Sequence, residues 1–198
     1  MVQRCTGSIE LYGEKFHCWK KKGHGYCDMR KAIKESCDVY FYEVARKLGI
    51  DRLSVTAQNF GLGKPMLTGF IEEKLGIVPN TNWKKQKIGK SWYLGETLHS
   101  GIGQGYWQST PMQLCLMTAQ IANGGYEIKP RLILGEENPD SLEKFIKEKN
   151  KLSESFKFDE SGIIGDILPN FKFKSLFRNQ ENINFVKDAL FGATNEPG

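Results

Sequence analysis

The residues best suited to chemistry are cysteines and histidines, which are concentrated near the start of the chain and can bind a metal ion. Four of the five cysteines and two of the three histidines fall within the first 37 residues. One subset, Cys5, Cys18, His24 and Cys37, has gaps of twelve, five and twelve residues. Three thiolates and one imidazole suit a closed tetrahedral zinc site, which stabilises a fold rather than performing a reaction. Because no C-x₂-C pair occurs, scattered buried thiols or one disulfide in an oxidising compartment are alternatives.

Ser36 and Asp38 form a second candidate, on either side of Cys37 at the junction of two predicted helices. Side chains at such a junction can face a cleft, where a hydroxyl and a carboxylate can share one hydrogen-bond network. The alternative is that one of the two simply caps the second helix. The histidines at 17, 24 and 99 have no nucleophile placed beside them by the sequence, and structural roles are the expectation for each.

The composition excludes several classes of protein. The chain has 198 residues, with 28 Lys+Arg, 23 Asp+Glu and a net charge of +5. The charges are mixed along the chain, so dedicated nucleic-acid binding is not predicted. Apolar residues make up 39%, which excludes a wholly disordered chain. No apolar run approaches the ~18 residues of a membrane span, and the first residues lack the features of a signal peptide. The length suits one domain or a large piece of one.

Local signals predict the elements that position these residues. Residues 1–27 are expected to form strands and loops, and residues 61–95, rich in Gly, Pro and Lys, a long surface excursion. A strand is predicted over 126–134, and residues 136–182 are expected to be an insertion or a mobile lobe. Cys115, among apolar neighbours, is expected in the core. Helices are predicted over 29–34 with Asp28 as N-cap, over 39–48 ending at Gly49, over 52–60 with Asp51 as N-cap, from Thr110-Pro111 to Asn123, and over 183–191.

A series of short motifs also runs in one order along the chain. They include FHCWK at 16–20, GHG at 23–25, SCDVYFYE at 36–43, IGQG at 102–105, TPMQL at 110–114 and IANGG at 121–125. Together they closely resemble the transpeptidase domain of the penicillin-binding protein 2 family, the class B, elongation-type enzymes of Gram-negative bacteria. The resemblance is strong over residues 4–134 and weak over 183–198.

The resemblance implies an α/β (α+β) fold, namely part of the penicillin-recognising transpeptidase domain, which is related to serine β-lactamases, and mostly its helical lobe. It implies a role in a peptidoglycan D,D-transpeptidase that cross-links stem peptides through an acyl-serine intermediate during cell elongation and is acylated by β-lactams. The implied partners are peptidoglycan stem peptides and elongation-complex membrane proteins, with no nucleic acid. The implied location is the periplasmic face of the bacterial inner membrane.

The family's site has three signatures, S-x-x-K, S-x-N or S-x-D, and K-[ST]-G. Only the second is expected to be functional here, as Ser36 and Asp38. An S-x-x-K string at 141–144 follows Ser36 instead of preceding it, so it is rejected as the nucleophile. We therefore expect residues 1–198 to be a partial transpeptidase domain, inactive alone, without the nucleophile helix, the K-[ST]-G strand, the pedestal or the membrane anchor. The resemblance implies that Ser36 relays a proton and that Asp38 positions the substrate peptide and the lysine.

The resemblance also bears on the metal, because some family members place a zinc site close to this motif. Its histidine and one cysteine correspond to His24 and Cys37, and Cys5 and Cys18 fall where the other ligands are expected. Zinc held by Cys37 would fix Ser36 and Asp38 on either side of it. A Cys5–Cys18 or Cys18–Cys37 disulfide is the rival. A second hypothesis for the whole chain is a non-catalytic, zinc-braced, truncated module that binds cell-wall or elongation-complex partners.

Overall fold

The computed structural model describes residues 1–66, 73–130, 174–177 and 179–197. Within these residues it has seven helices and two short antiparallel β-ribbons, the mixed and mainly helical fold that was predicted. None of the helices in this part of the chain is both long and apolar enough to cross a bilayer.

The two ribbons lie within the first 27 residues, as the sequence predicts. Strand β1 pairs with β4, and β2 pairs with β3; the strands are β1 Gln3–Cys5, β2 Ser8–Leu11, β3 Glu14–His17 and β4 Gly25–Cys27. The backbone of the loop between β3 and β4 packs closely against the loop that follows β1. A Cβ on Gly23, whose φ is +77°, would lie 2.2 Å from the carbonyl oxygen of Cys5. Only glycine therefore permits this approach.

Three helices follow the ribbons: α1 Met29–Lys34, α2 Asp38–Leu48 and α3 Ile50–Asn59. Asp28 caps α1 by accepting a hydrogen bond from the Lys31 N–H at 2.8 Å, which confirms the prediction. Gly49, with φ +77°, ends α2. The prediction that Asp51 caps α3 is wrong, because Gly49 is the N-cap. The Asp51 carboxylate instead accepts hydrogen bonds from the backbone and hydroxyl of Thr81.

The prediction of a surface excursion over residues 61–95 is wrong in its second half. This part of the chain contains α4 Thr81–Ile88 and the start of α5 Leu94–Gly101. The buried anchor of α4 is Lys84, which is 2% exposed. A helix whose buried residue is a lysine shows no apolar periodicity, so the pattern that identifies amphipathic helices is missing here.

The last two helices among the described residues are α6 Pro111–Ala122 and α7 Gln180–Asn195. Thr110 and Gln113 form a capping box at the start of α6, as that prediction requires. Cys115 is exposed, so its predicted place in the core is wrong. The buried face of α6 is formed by Gln113, Leu116 and Gln120, because the two glutamine amides donate hydrogen bonds to backbone carbonyls.

The predictions for residues 126–191 can be tested only where the structure describes the chain. Helix α7 includes the helix predicted over residues 183–191 and extends beyond it at both ends. Over the described residues 126–130 the predicted strand is replaced by a single bridge from Tyr126 to Ser175. Residues 131–173 lie outside the described residues, and with them most of the predicted 136–182 insertion and the S-x-x-K string at 141–144.

Helix α2 lies at the centre of the core. Its buried residues Val39, Tyr40 and Tyr42 pack with the buried cysteines of the ribbons and with Leu98 of α5. On the other side, Arg30 of α1 forms ion pairs with Asp188 and Glu196 at α7 and beyond its end. The start of α2, where Ser36, Cys37 and Asp38 lie, is thereby held between the ribbons and the flanking helices.

Candidate functional site

The four predicted metal ligands form one buried cluster. The ligand atoms of Cys5, Cys18, His24 and Cys37 all lie within 4.8 Å of one another. The His24 Nδ1 is 3.6 Å from the Cys5 Sγ and 3.5 Å from the Cys18 Sγ. A tetrahedral zinc ion with bonds of about 2.3 Å to sulfur and 2.0–2.1 Å to nitrogen has S···N edges of about 3.6 Å. The two distances from His24 to the cysteines therefore match the edges of such a site.

Three separate elements bring these ligands together. Cys5 ends β1, Cys18 and His24 bracket the loop between β3 and β4, and Cys37 is the N-cap of α2. The loop is fastened by the hydrogen bond from the Cys18 N–H to the Gly7 carbonyl at 2.8 Å. All five cysteines of the chain are free thiols in the structure.

Burial and hydrogen bonding act differently on the ionisable groups of the cluster. Burial lowers the pKa of His24, with the positive charge of Lys20 adding to the effect, so the imidazole stays neutral and can act as a ligand. Burial raises the pKa of Cys18 and of Cys37. Burial also opposes ionisation of Cys5, but hydrogen bonds from the backbone of His24 and nearby groups outweigh it and lower the Cys5 pKa. Ionisation is thus easier for the Cys5 thiol than for the thiols of Cys18 and Cys37.

Ser36 and Asp38 face a cleft of about 600 Å³. The other residues of its lining are His17, Cys18, Trp19, Tyr42, His99, Ile102 and Gln104. The capping alternative is wrong for both residues, since Cys37 is the N-cap and Asp38 is the first residue of α2. Ser36 has a φ of +50°, in the left-handed region that a serine seldom adopts. The Asp38 Oδ2 accepts a hydrogen bond from the Trp19 N–H at 2.8 Å.

Trp19 is a contributor to the cleft that the sequence reasoning missed. Its indole Nε1 donates to the Ser36 carbonyl at 2.8 Å and to the Glu35 carbonyl at 3.1 Å. The side chain is nevertheless 62% exposed, so little of the ring is buried. The available signal was its position in the FHCWK motif, immediately after Cys18.

A charge network connects α4, α5 and the loop that follows α5. Glu96 of α5 pairs with the Lys84 Nζ, and it also accepts a hydrogen bond from the Tyr106 hydroxyl at 3.1 Å. Burial would raise the pKa of Glu96, but the hydrogen bond from Lys84 and other donors lower it, so the carboxylate remains charged. Tyr106 lies two residues after Gln104, which lines the cleft, in the loop between α5 and α6. The network therefore ties α4 and α5 to the position of this amide.

The cleft is equipped for proton transfer and for hydrogen bonding to a peptide. A hydroxyl can both donate and accept a hydrogen bond and can relay a proton, an ionised carboxylate accepts hydrogen bonds, and an amide donates and accepts them through separate atoms. His17 and His99, expected to be structural, also line the cleft, and the His99 ring lies 5.3 Å from the ring of Phe16.

Comparisons with known proteins agree with this architecture. Residues 4–163 match the family model described as the penicillin binding protein transpeptidase domain. The chain is 46% identical over 120 residues to the peptidoglycan D,D-transpeptidase MrdA of Salmonella typhimurium, covering 61% of this chain and 19% of that protein. The MrdA of Haemophilus influenzae is 43% identical over 120 residues, or 61% of this chain and 18% of that protein. The chain thus spans about a fifth of the length of these relatives.

Solved structures give the same result. A structure of Pseudomonas aeruginosa PBP2 in complex with WCK 5153 superposes with a TM-score of 0.73 at 32% identity, covering 98% of this chain and 40% of that chain. A complex between PBP2 and MreC from Helicobacter pylori superposes with a TM-score of 0.75 at 26% identity, covering 99% of this chain and 31% of that chain. The predicted fold and family are confirmed: this chain belongs to the penicillin-binding protein transpeptidase domain family.

Proposed function

We propose that this chain forms the S-x-D part of a peptidoglycan D,D-transpeptidase site and that a structural zinc ion braces it. The observation that carries the proposal is the position of Ser36 and Asp38. Both face one cleft, and the residue between them, Cys37, belongs to the thiol–imidazole cluster. The names of the relatives support the assignment, because those proteins are called peptidoglycan D,D-transpeptidases.

The proposed reaction assigns proton transfer to Ser36. The enzyme's nucleophilic serine attacks the peptide bond between the two terminal D-alanines of a stem peptide, forming an acyl-serine and releasing the last D-alanine as an amine. That amine needs a proton, and the Ser36 hydroxyl relays one from the lysine of the S-x-x-K signature, which this sequence does not supply at a suitable place. An acceptor amine then attacks the acyl-serine, forms the cross-linking amide as the bond to the serine breaks, and returns its proton to the serine by the same route. β-Lactams acylate the same serine.

Asp38 has a positioning role in this scheme. Its carboxylate is oriented by the Trp19 N–H and is free to accept a hydrogen bond from a substrate amide or to attract the lysine ammonium. An asparagine at this position would also donate a hydrogen bond, which an ionised carboxylate does not. Asp38 therefore favours cationic or N–H donating groups over carbonyl groups at this point of the cleft.

The residues of the cluster fit zinc by type, number, burial and separation. Cys5, Cys18 and Cys37 would supply thiolates and His24 its Nδ1. The ion, when bound, supplies bond energy and rigidity, because four protein ligands leave no open position for a reacting group. Cys37 would then fix the Ser36–Asp38 turn at the cluster, and the Trp19 N–H would hold the Asp38 carboxylate.

The family also suggests partners and a location. One neighbouring structure is a PBP2 complex with MreC, which supports elongation-complex membrane proteins as partners of the protein to which this chain belongs. Peptidoglycan stem peptides and β-lactams are its proposed ligands, and the periplasmic face of the bacterial inner membrane its proposed site of action. Nucleic acid is not among the proposed partners.

Labelling with a fluorescent penicillin tests the proposed enzyme. The intact polypeptide that carries this chain is compared with its Ser36→Ala variant, and the acylation rate is measured. Loss of a proton relay is expected to slow acylation about 10²- to 10⁴-fold. Ser91→Ala, at an exposed serine outside the cleft, is the matched control and should keep the parent rate. An unchanged rate for Ser36→Ala would refute the proton relay, and no labelling of the parent would favour the non-catalytic module instead.

Native mass spectrometry tests the zinc site. The chain is expected to carry one zinc ion, which Cys37→Ala and His24→Ala should each remove. Cys115→Ala is the matched control, because this thiol is exposed and outside the cluster. A metal-free mass with a deficit of two hydrogens would instead show a disulfide and refute the zinc assignment.

A further inference from the structure

We propose that Trp19 is a positioning residue that transmits the order of the metal cluster to Ser36 and Asp38. This inference rests on the proposed function and extends it to a residue outside the three signatures. Trp19 follows Cys18 directly and reaches both ends of the Ser36–Asp38 turn. Its main-chain N–H binds the Asp38 carboxylate, and its indole N–H binds the Ser36 carbonyl, each at 2.8 Å.

The Ser36 turn needs such a support. A non-glycine residue at φ +50° is held there by its surroundings, because L side chains disfavour this region. The indole N–H donates to the carbonyl oxygens of both Ser36 and Glu35, so one donor fixes both peptide groups before Cys37. Rotation of either peptide would move the Ser36 hydroxyl in the cleft.

The burial of Trp19 indicates which part of the side chain matters. The residue is 62% exposed, so burial of its ring contributes little to the core. One edge of the ring lies against His24, with ring centroids 5.4 Å apart and planes at 67°. The indole ring therefore contacts His24 on one side, and its N–H, the only polar group of the side chain, donates to the turn at Ser36. The donor N–H, more than the apolar area, distinguishes tryptophan from phenylalanine here.

The loop that carries Trp19 is itself rigid. It runs from Cys18 to His24, two members of the cluster, and Gly23 approaches the Cys5 carbonyl too closely for any side chain. A loop anchored at both ends by metal ligands can hold a hydrogen-bond donor to within a fraction of an ångström. This loop therefore gives the cluster a second connection to the cleft, through Trp19, beside the direct connection through Cys37.

The first experiment uses Trp19→Phe in the intact polypeptide, which keeps an aromatic ring and the main-chain N–H and removes the indole N–H. The maximal rate of acylation by a fluorescent penicillin should fall about tenfold, the size of one lost hydrogen bond, while the half-saturating concentration stays within about twofold. Trp92→Phe is the matched control, since it removes an indole N–H that donates to Thr97 at 2.8 Å outside the cleft lining. Zinc content should remain one per chain in both variants.

The second experiment uses this chain alone, labelled with ¹⁵N, and measures exchange of the Trp19 indole proton by NMR. The proton should be protected when zinc is bound and exchange rapidly after chelation. If chelation leaves its protection unchanged, the link to the metal is refuted.

The outcomes separate this inference from the function on which it rests. Normal labelling of Ser36→Ala would refute the proposed function itself. Slow labelling of Ser36→Ala with normal labelling of Trp19→Phe would refute only the role of Trp19. Loss of zinc from Trp19→Phe would refute it as well, because the residue would then act as part of the metal site's framework.

Discussion

Replacing Lys84 tests the buried charge network directly. The Lys84 side chain is 2% exposed and that of its partner Glu96 is 22% exposed. The Lys84 Nζ also lies 4.6 Å from the centroid of the Tyr93 ring. Removing one member of a buried ion pair costs about 3–5 kcal/mol, and the partial exposure of Glu96 argues for the lower end. Lys84→Met, which keeps an apolar stem, should therefore lower the free energy of unfolding by about 3 kcal/mol.

Lys84→Ala should cost more, because it also removes three buried methylene groups. At about 0.8 kcal/mol each these add about 2 kcal/mol, for a total of about 5 kcal/mol. Urea unfolding followed by tryptophan fluorescence measures both values. The double variant Lys84→Met with Glu96→Gln removes both charges, so its cost should be at least about 1 kcal/mol below the sum of the single variants. Additive costs, or a loss below about 1 kcal/mol for Lys84→Met, would refute the account of the pair.

Three further outcomes are expected. The pKa of Glu196 is held at about 2 by Arg30 and Lys34, so the folded state favours the charged form of this carboxyl. Its contribution to stability is therefore present above about pH 4.3 and is lost as the pH falls towards 2. Glu196→Gln should abolish this contribution in acid-unfolding curves. Gly101→Ala should destabilise the chain by about 1–3 kcal/mol in thermal unfolding, because its Cβ would lie 2.5 Å from that of Ala45, and Ala45→Gly should restore much of the loss. Chelation of zinc should lower the melting temperature, and zinc affinity should weaken as the pH falls because its thiol ligands bind the metal as thiolates; titration calorimetry at two pH values measures this.

Local patterns in the sequence predicted the elements whose stabilising bonds lie within a few residues. Asp28 caps α1 and Thr110 caps α6 through bonds to the residue three positions along. The metal-ligand candidates were likewise named from residue type and spacing, with scattered buried thiols or a disulfide as the alternatives, and the structure brings the four residues together. The motifs then predicted the family, which the comparisons confirmed.

Only the tertiary structure decided the features that depend on contacts between distant segments. Asp51 bonds to Thr81 instead of capping its own helix, and Lys84 anchors α4 through a carboxylate twelve residues away. Trp19 reaches Ser36 across seventeen positions. A hydrogen bond within one helical turn leaves a pattern in the local sequence, whereas a bond between distant segments exists only once folding brings them together.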